Sequence, residues 1–420
     1  MNCILVMLLC MVIRKLLFAS VLIMPGLPAC SQYQKPSFCH LSTENGDLDV
    51  PNKGNQQTAL LVADLDKDGI NDFVVTERTA APAAVWYRKI KTGWARYVIE
   101  PSALQIEAGS AYFDIDGDGD LDIVFGGDVH TNQVWWWENP FPNYHKDVGW
   151  NRYLIKNSGA VKHHDQLFGD FDGDGKDEVV FWNQNDSKLI LAEIPDDPKK
   201  TKEWKMSAIY EWSKDSEMEQ RGTYPAWRLT NEHEGLSKAD IDGDGKTDIV
   251  GGGRWFKHVA GTNFQVNIID AGYSFTRAVV GDFVEGDKPE VILVAGDGSA
   301  PLMMYQWVKG TWKSSVLIDK VIDGHSICVV DFNHDGHLDI FNAEMGLGNS
   351  QHPKARLLLG DGNGNFHVDE VLTDFGLHES LMTDLDGDGD LDILGKPYTW
   401  KAPRIDLWLN ESVDRSDSGK

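Results

Sequence analysis

Asp114-Ile-Asp-Gly-Asp-Gly-Asp-Leu-Asp122 carries acidic side chains at positions 1, 3, 5 and 9 of a nine-residue turn, with glycine at position 6. The same pattern, D-x-(D/N)-x-D-G-x-x-(D/E), begins at Asp64, Asp170, Asp240, Asp331 and Asp384, making six intact copies. An altered seventh copy starts at Asp282, with Val284 and Gly286 where two oxygen-bearing side chains belong and Glu290 at its end. Successive starts lie 50, 56, 70, 42, 49 and 53 residues apart. A period of this size built from short strands marks a propeller, a solenoid or an array. Seven units of about four strands each close into a ring, which removes the sheet edges an open array would expose. The expectation is an all-β, seven-bladed β-propeller.

Each unit follows one plan. A short apolar run such as Ala59-Leu-Leu-Val-Ala63 precedes the acidic turn, and a second such as Ile123-Val-Phe125 follows it. An aromatic strand comes next, as in Val85-Trp-Tyr87 or Val134-Trp-Trp-Trp137, and then an alternating strand such as Trp94-Ala-Arg-Tyr-Val-Ile99. Period-two alternation of β-branched and aromatic residues is the strand signal. With strands lettered A to D outward from the axis, every acidic turn joins A to B. The last unit stops after a third strand near Ile405 to Leu409, so its outer strand is expected from Phe38 to Ser42.

The chain has 420 residues, 42% of them hydrophobic, with fifteen Trp, enough for a large core. Its net charge of −26 is concentrated, because 26 of the 65 acidic residues lie in the six intact turns. A polyanion such as nucleic acid is therefore excluded as a partner. Arg14 and Lys15, an apolar run from Leu16 to Met24, and Leu27-Pro-Ala-Cys30 read as a bacterial lipoprotein leader over residues 1–30. This segment is too short and asymmetric for a permanent span. It implies either lipid at Cys30 on an outer-membrane protein or plain secretion, with the lipid anchor as the only membrane contact. Residues 31–412 form one propeller, expected as a monomer, and 413–420 a polar, disordered tail. Cys39 and Cys328 are far apart in sequence, and no disulfide is expected between them.

The turns supply side-chain oxygen from Asp64, Asp66, Asp68 and Asp72; from Asp114, Asp116, Asp118 and Asp122; and from Asp170, Asp172, Asp174 and Glu178. Three further sets are Asp240, Asp242, Asp244 and Asp248; Asp331, Asn333, Asp335 and Asp339; and Asp384, Asp386, Asp388 and Asp392. Oxygen-only sets around a glycine turn suit Ca²⁺ and not a transition metal. About six structural ions are expected, one for each intact turn, and the altered copy is expected empty. Calcium sensing is the other reading.

With A–B turns on one face, the D–A and B–C turns gather at the opposite end of the axis. His163, His164, His233, His325 and His378 shortly precede or open an A strand, and His130 and His352 fall in B–C turns. Ligand sites favour such concave mouths built from several elements. The 70-residue interval places its excess in one D–A connection, residues 214–234, which brings Arg221, Tyr224, Trp227 and Arg228 to that face. Arg254 and Arg277 point the same way.

Across roughly residues 40–412 the repeats resemble the FG-GAP or VCBS repeats of integrin-like propellers. The stretch His163-His-Asp-Gln-Leu-Phe-Gly-Asp-Phe-Asp-Gly-Asp-Gly175 and the strand Trp135-Trp-Trp-Glu-Asn-Pro140 are similar to bacterial propeller polysaccharide lyases, of the type that cleaves rhamnose-(1,4)-glucuronate caps from arabinogalactan. The resemblance implies β-elimination on a uronic-acid-containing glycan. That reaction needs a clamp for the C6 carboxylate, a base for the C5 proton and an acid for the departing O4. Arg221, Arg228, Arg254 and Arg277 are candidate clamps. His164 and His130 are candidate base and acid, with Tyr224 a partner in proton transfer. Trp227 and Trp255 are candidate stacking surfaces, and His163 and His325 further contacts, one of His163 and His164 facing the ligand while the other packs. For the Arg and Trp residues an ion pair or a packing role stands beside each of these assignments. No G-x-S-x-G, H-E-x-x-H or Walker pattern is present. Two alternatives remain open: a non-catalytic propeller binding glycan or protein, and a glycoside hydrolase using Glu107, Glu234 or Glu344.

Overall fold

The computed structural model describes residues 35–212, 223–224, 232–286, 288–348, 350–398 and 401–412. Its strands form seven four-stranded antiparallel sheets, the blades of a β-propeller. In blade one the order is Gln57–Ala63, Asp72–Glu77, Ala84–Ile90 and Gly93–Glu100, and the next five blades repeat this consecutive order. The seventh breaks it. Leu381–Thr383, Asp392–Gly395 and Asp406–Asn410 are completed by Phe38–Ser42 as the outer strand. Phe38 pairs with Asn410 and Ser42 with Asp406, so an N-terminal strand closes the ring where the sequence placed it.

Aromatic residues of the B, C and D strands fill the space between neighbouring blades. Trp86 of blade one meets Trp150 of blade two edge-on at 5.9 Å, in a cluster with Phe125, Trp135 and Trp137. Between blades three and four, Trp182 packs against Phe256 at 6.0 Å. These side chains are fully or almost fully buried. Large aromatics bury the most apolar area per residue, so they suit seams between sheets that splay outward.

The last residue of each acidic turn has a task the sequence does not announce. The Asp122 carboxylate accepts the Ile115 amide at 3.0 Å and the Asn139 amide, beyond strand C, at 2.9 Å. Asp339 does the same for Phe332 and Gly360, both at 2.8 Å, and Asp392 for Leu385 and Asn410, both at 2.8 Å. The altered turn keeps the first of these contacts, with Glu290 accepting the amides of Phe283 and Val284, and reaches strand C through the Gln306 side-chain amide at 3.2 Å. At Asp122, Asp248, Asp339 and Asp392, position 9 thus ties the start of the turn to the far side of its own blade.

The clamp can be measured apart from any metal by working in chelator. Asp392→Ala should lower the unfolding free energy by about 2–4 kcal/mol, because two buried amides lose their acceptor. Asp392→Asn, which keeps one carbonyl oxygen, should recover part of that loss. Urea denaturation in EDTA reads both values, and an unchanged midpoint in Asp392→Ala would refute the clamp.

Candidate functional site

Opposite the acidic turns, D–A and B–C connections from all seven blades enclose a cavity of about 210 Å³. Arg78 and Tyr398 come from B–C turns of blades one and seven, and Lys162, His164, Glu234, His325 and His378 from segments that lead into or open inner strands. Glu107 and Asp297 add carboxylates to the wall.

Beneath the cavity an ion-pair layer crosses the axis. Arg277 donates to Asp165 at 2.7 Å and to Glu379 at 3.1 Å, which joins blades three, five and seven. Asp165 also accepts the Gly235 amide at 2.8 Å, and Glu379 accepts the Gly109 amide at 3.2 Å, bringing in blades four and two. Both carboxylates sit on left-handed backbone, with φ of 52° at Asp165 and 52° at Glu379. Asp165 lies at a β-bulge, between the pairings of His164 and Gln166, and a bulge re-aims a side chain. Gly109 is needed here, since a Cβ would stand 2.4 Å from the Asp165 Cα. Below this layer the inner strands enclose a second space of about 530 Å³.

Electrostatics divides the histidines into two kinds. Both ring nitrogens of His164 meet carboxylates, Nδ1 with Asp165 at 2.9 Å and Nε2 with Glu234 at 3.4 Å. Burial opposes its charge, but Glu234 and Asp165 prevail and push its pKa up to about 9. Asp165, between His164 and Arg277, is held well below the usual carboxylate range despite burial. His325 and His378 are the reverse. Burial, with Arg277 and Lys396 nearby, drives both well below the usual imidazole value, so they are neutral. Their rings stack at 4.3 Å, and Tyr398 lies on the other face of His378 at 4.7 Å. The Tyr398 hydroxyl oxygen accepts from Arg78 at 3.1 Å, and Arg78 also pairs with Glu107 and, at 3.5 Å, with Asp128.

Several expectations need correction. His164 lines the cavity, but Glu234 and Asp165 favour its protonated form, which opposes the role of base. His163 packs instead: it is fully buried, donates from Nδ1 to the Gly127 carbonyl at 3.1 Å, and is pushed by burial to about 3. His130 is exposed on its turn and is not in the cavity wall, where its neighbour Val129 is. Trp255 offers no face to a sugar, because it lies in the blade core against Trp307 at 5.1 Å and donates to Asp248 at 2.8 Å. Arg254 is fully buried beside it, donating to the Gly252 carbonyl at 2.6 Å. Tyr224 packs on Tyr273 at 5.0 Å, outside the cavity wall. Arg277 and His325 are at the axis, Arg277 as an internal ion pair. Arg221, Trp227 and Arg228 lie outside the described residues, as do the leader and the tail. Sequence reasoning missed Arg78, Lys162, Asp297, Lys396 and Tyr398. Arg78, Asp297, Lys396 and Tyr398 follow a B strand, so the rule that picked out His130 could have found them.

The acidic turns form the opposite face, and their residues suit a hard cation. Carboxylate oxygens converge in Asp64, Asp66 and Asp68; in Asp114, Asp116 and Asp118; and in Asp170, Asp172 and Glu178. Asp240, Asp242 and Asp248, and Asp384, Asp386 and Asp392, form two more groups, all with oxygens within 4.8 Å of one another. Asp66 Oδ1, Asp114 Oδ1 and Asp242 Oδ1 are buried with no hydrogen-bond partner among the described residues. Burial and crowded neighbours push Asp72 and Asp122 up to about 8, and Glu178 and Asp392 up to about 7. Asp331, Asn333 and Asp335 share the turn geometry, with the Asn333 amide donating to Asp335 at 2.8 Å.

Residues 114–181 and 170–251 each match the FG-GAP-like repeat family. The chain is a seven-bladed β-propeller, and residues 114–251 of it match FG-GAP-like repeats. No curated protein matches it. Among solved structures it is similar to BBS1N from the crystal structure of its complex with ARL6DN, soaked with mercury, at 10% identity and a TM-score of 0.50. That likeness covers 87% of this chain and 98% of the other, and concerns the fold alone.

His164 makes stability depend on pH in a definite sense. Its folded pKa lies above the unfolded value of about 6.5, so its contribution is complete below that value and fades as pH rises through about 9. The facing groups are Asp165, Glu234, Arg277 and His325. His164→Gln should be less stable than the wild type at pH 6.5 by about 3 kcal/mol, as a buried pair broken on one side is costly. The difference should shrink toward pH 9. Thermal melts across that range check it, and a gap that grows with pH would contradict the imidazolium assignment.

Proposed function

We propose that this propeller is a polysaccharide lyase that cleaves a uronic-acid-containing glycan by β-elimination, with rhamnose-(1,4)-glucuronate linkages of arabinogalactan as the target. The observation that carries the reading is the meeting of Arg78, His378 and Tyr398 in one cavity to which every blade contributes. In the reaction a base takes the C5 proton, the electron pair forms the C4=C5 bond, the C4–O4 bond breaks, and O4 receives a proton. Arg78 supplies guanidinium N–H groups for the substrate carboxylate, whose neutralisation acidifies C5–H. Burial raises the Tyr398 phenol above its ordinary value, so it starts protonated and is the candidate donor to O4. The carboxylates of Glu107, Glu234 and Asp297 are the candidate proton acceptors, and the His164 imidazolium offsets their charge.

Calcium belongs to the same proposal as a structural cofactor. The converging oxygens of the acidic turns are the residues that would hold it, and it would supply positive charge to turns that otherwise repel themselves. Export to the bacterial envelope with lipid at Cys30, and action as a monomer without nucleic acid, complete the proposal and rest on the sequence. A second reading has one observation in its favour: the three carboxylates in the wall also suit hydrolysis or capture of a neutral sugar.

Elimination leaves a double bond conjugated to the carboxylate, which absorbs in the ultraviolet. Incubation with arabinogalactan, ulvan and other uronans should raise the absorbance, and Tyr398→Phe should slow that rise by roughly 10²–10⁴-fold. New reducing ends without a chromophore would transfer the assignment to hydrolysis. Retention on a glycan column with no product would make the protein a binding module.

A further inference from the structure

Lys396 is fully buried immediately behind the cavity, four residues beyond the last acidic turn. Its Nζ faces three groups: the Gln57 carbonyl at 3.2 Å, the Thr58 carbonyl at 2.9 Å and His378 Nδ1 at 2.8 Å. An ammonium has three N–H donors and no acceptor, so this set matches it one for one, and His378 Nδ1 must then accept. The proton of the neutral ring is left on Nε2. Among the described residues no hydrogen-bond partner faces Nε2, and His378 lines the cavity. Beside it Arg277, another obligate donor, lies 2.9 Å from Nδ1 and 3.3 Å from Nε2 of the stacked His325.

We propose that Lys396 is a positioning residue that fixes His378 as the neutral Nε2–H tautomer, and that this N–H donates to a carboxylate oxygen of the bound uronate. The inference rests on the lyase reading and deepens it by naming a second group, beside Arg78, that meets the anion. Removal of the C5 proton sends charge onto the carboxylate oxygens. A neutral imidazole donor, itself a very weak acid, can strengthen its hydrogen bond there without losing the proton. The two ring faces are covered by His325 and Tyr398, so Nε2 is the edge left for a ligand.

Burial draws Lys396 down to about 7, so the test is run at pH 6, where the ammonium predominates. Long-range ¹H–¹⁵N spectra of ¹⁵N-histidine-labelled protein report which ring nitrogen carries the proton. The expected result for His378 is a protonated Nε2 and a bare Nδ1, with the Nε2 signal moving as sodium D-glucuronate is added. Lys396→Met should mix the two tautomers and weaken glucuronate binding about ten-fold, the loss of one aligned hydrogen bond to a charged group. His378→Gln, which keeps an N–H near the same position, should bind better than His378→Ala. A protonated Nδ1 in the wild type, or an Nε2 signal indifferent to saturating glucuronate, overturns the proposal without reference to any variant. Because neither readout needs turnover, a missing chromophore with every uronan would sink the lyase reading and leave this result standing.

Discussion

Crowding of like charge within one tight turn is the constraint on which the molecule depends. Each intact A–B turn holds three to five carboxylates within nine residues. The fold makes partial use of its own groups against that repulsion. Position 1 caps the amides of its own turn, as Asp64 does for Asp68 and Gly69, and position 5 caps position 7, as Asp174 does for Lys176. Basic side chains reach in at position 3, Arg88 to Asp66, Lys199 to Asp116 and Lys257 to Asp242. Position 9 turns inward and becomes the blade's internal clamp. What remains, buried oxygens without partners and carboxyls with raised pKa values, is the electrostatic demand that the proposed divalent cation would meet.

The other end of the axis meets the problem of buried charge differently. There the signs alternate, with Arg277 between Asp165 and Glu379, and His164 between Asp165 and Glu234. Each charge is paired across blades, so the layer ties the ring together at its narrowest point. Pairing of this kind holds its members in fixed protonation states. It also leaves the neutral pair His325 and His378 to present polar edges above it. The acidic face and the cavity are thus separate solutions, one left with crowded like charge and the other internally balanced.

The blade plan was legible because it is periodic. Six acidic turns, the aromatic strand after each, and a last unit short of one strand fix seven blades and the closing role of Phe38–Ser42. The site was legible only as a face. Periodicity shows on which end of the ring a turn lies, but not whether a side chain in it points to the axis or back into a seam. His163 and His164 are adjacent, yet one packs against Phe181 and the other bridges two carboxylates across the axis. Trp255 and Arg254 follow a triple glycine that resembles a binding loop, but they belong to a strand whose register with Asn267 and Ile268 places them in the blade. Arg78 and Tyr398 carried no motif, and only the closing of the ring brings them within hydrogen-bond reach.

Calorimetric titration of calcium into chelator-stripped protein, repeated in two buffers of different ionisation enthalpy at pH 7, tests the account most directly. It predicts about six ions bound, with protons released because the carboxyls now near pH 7 to 8 lose theirs. A raised melting temperature should follow, since an ion that binds only the folded ring stabilises it by mass action. No heat, no proton release and a melting temperature indifferent to calcium would contradict it.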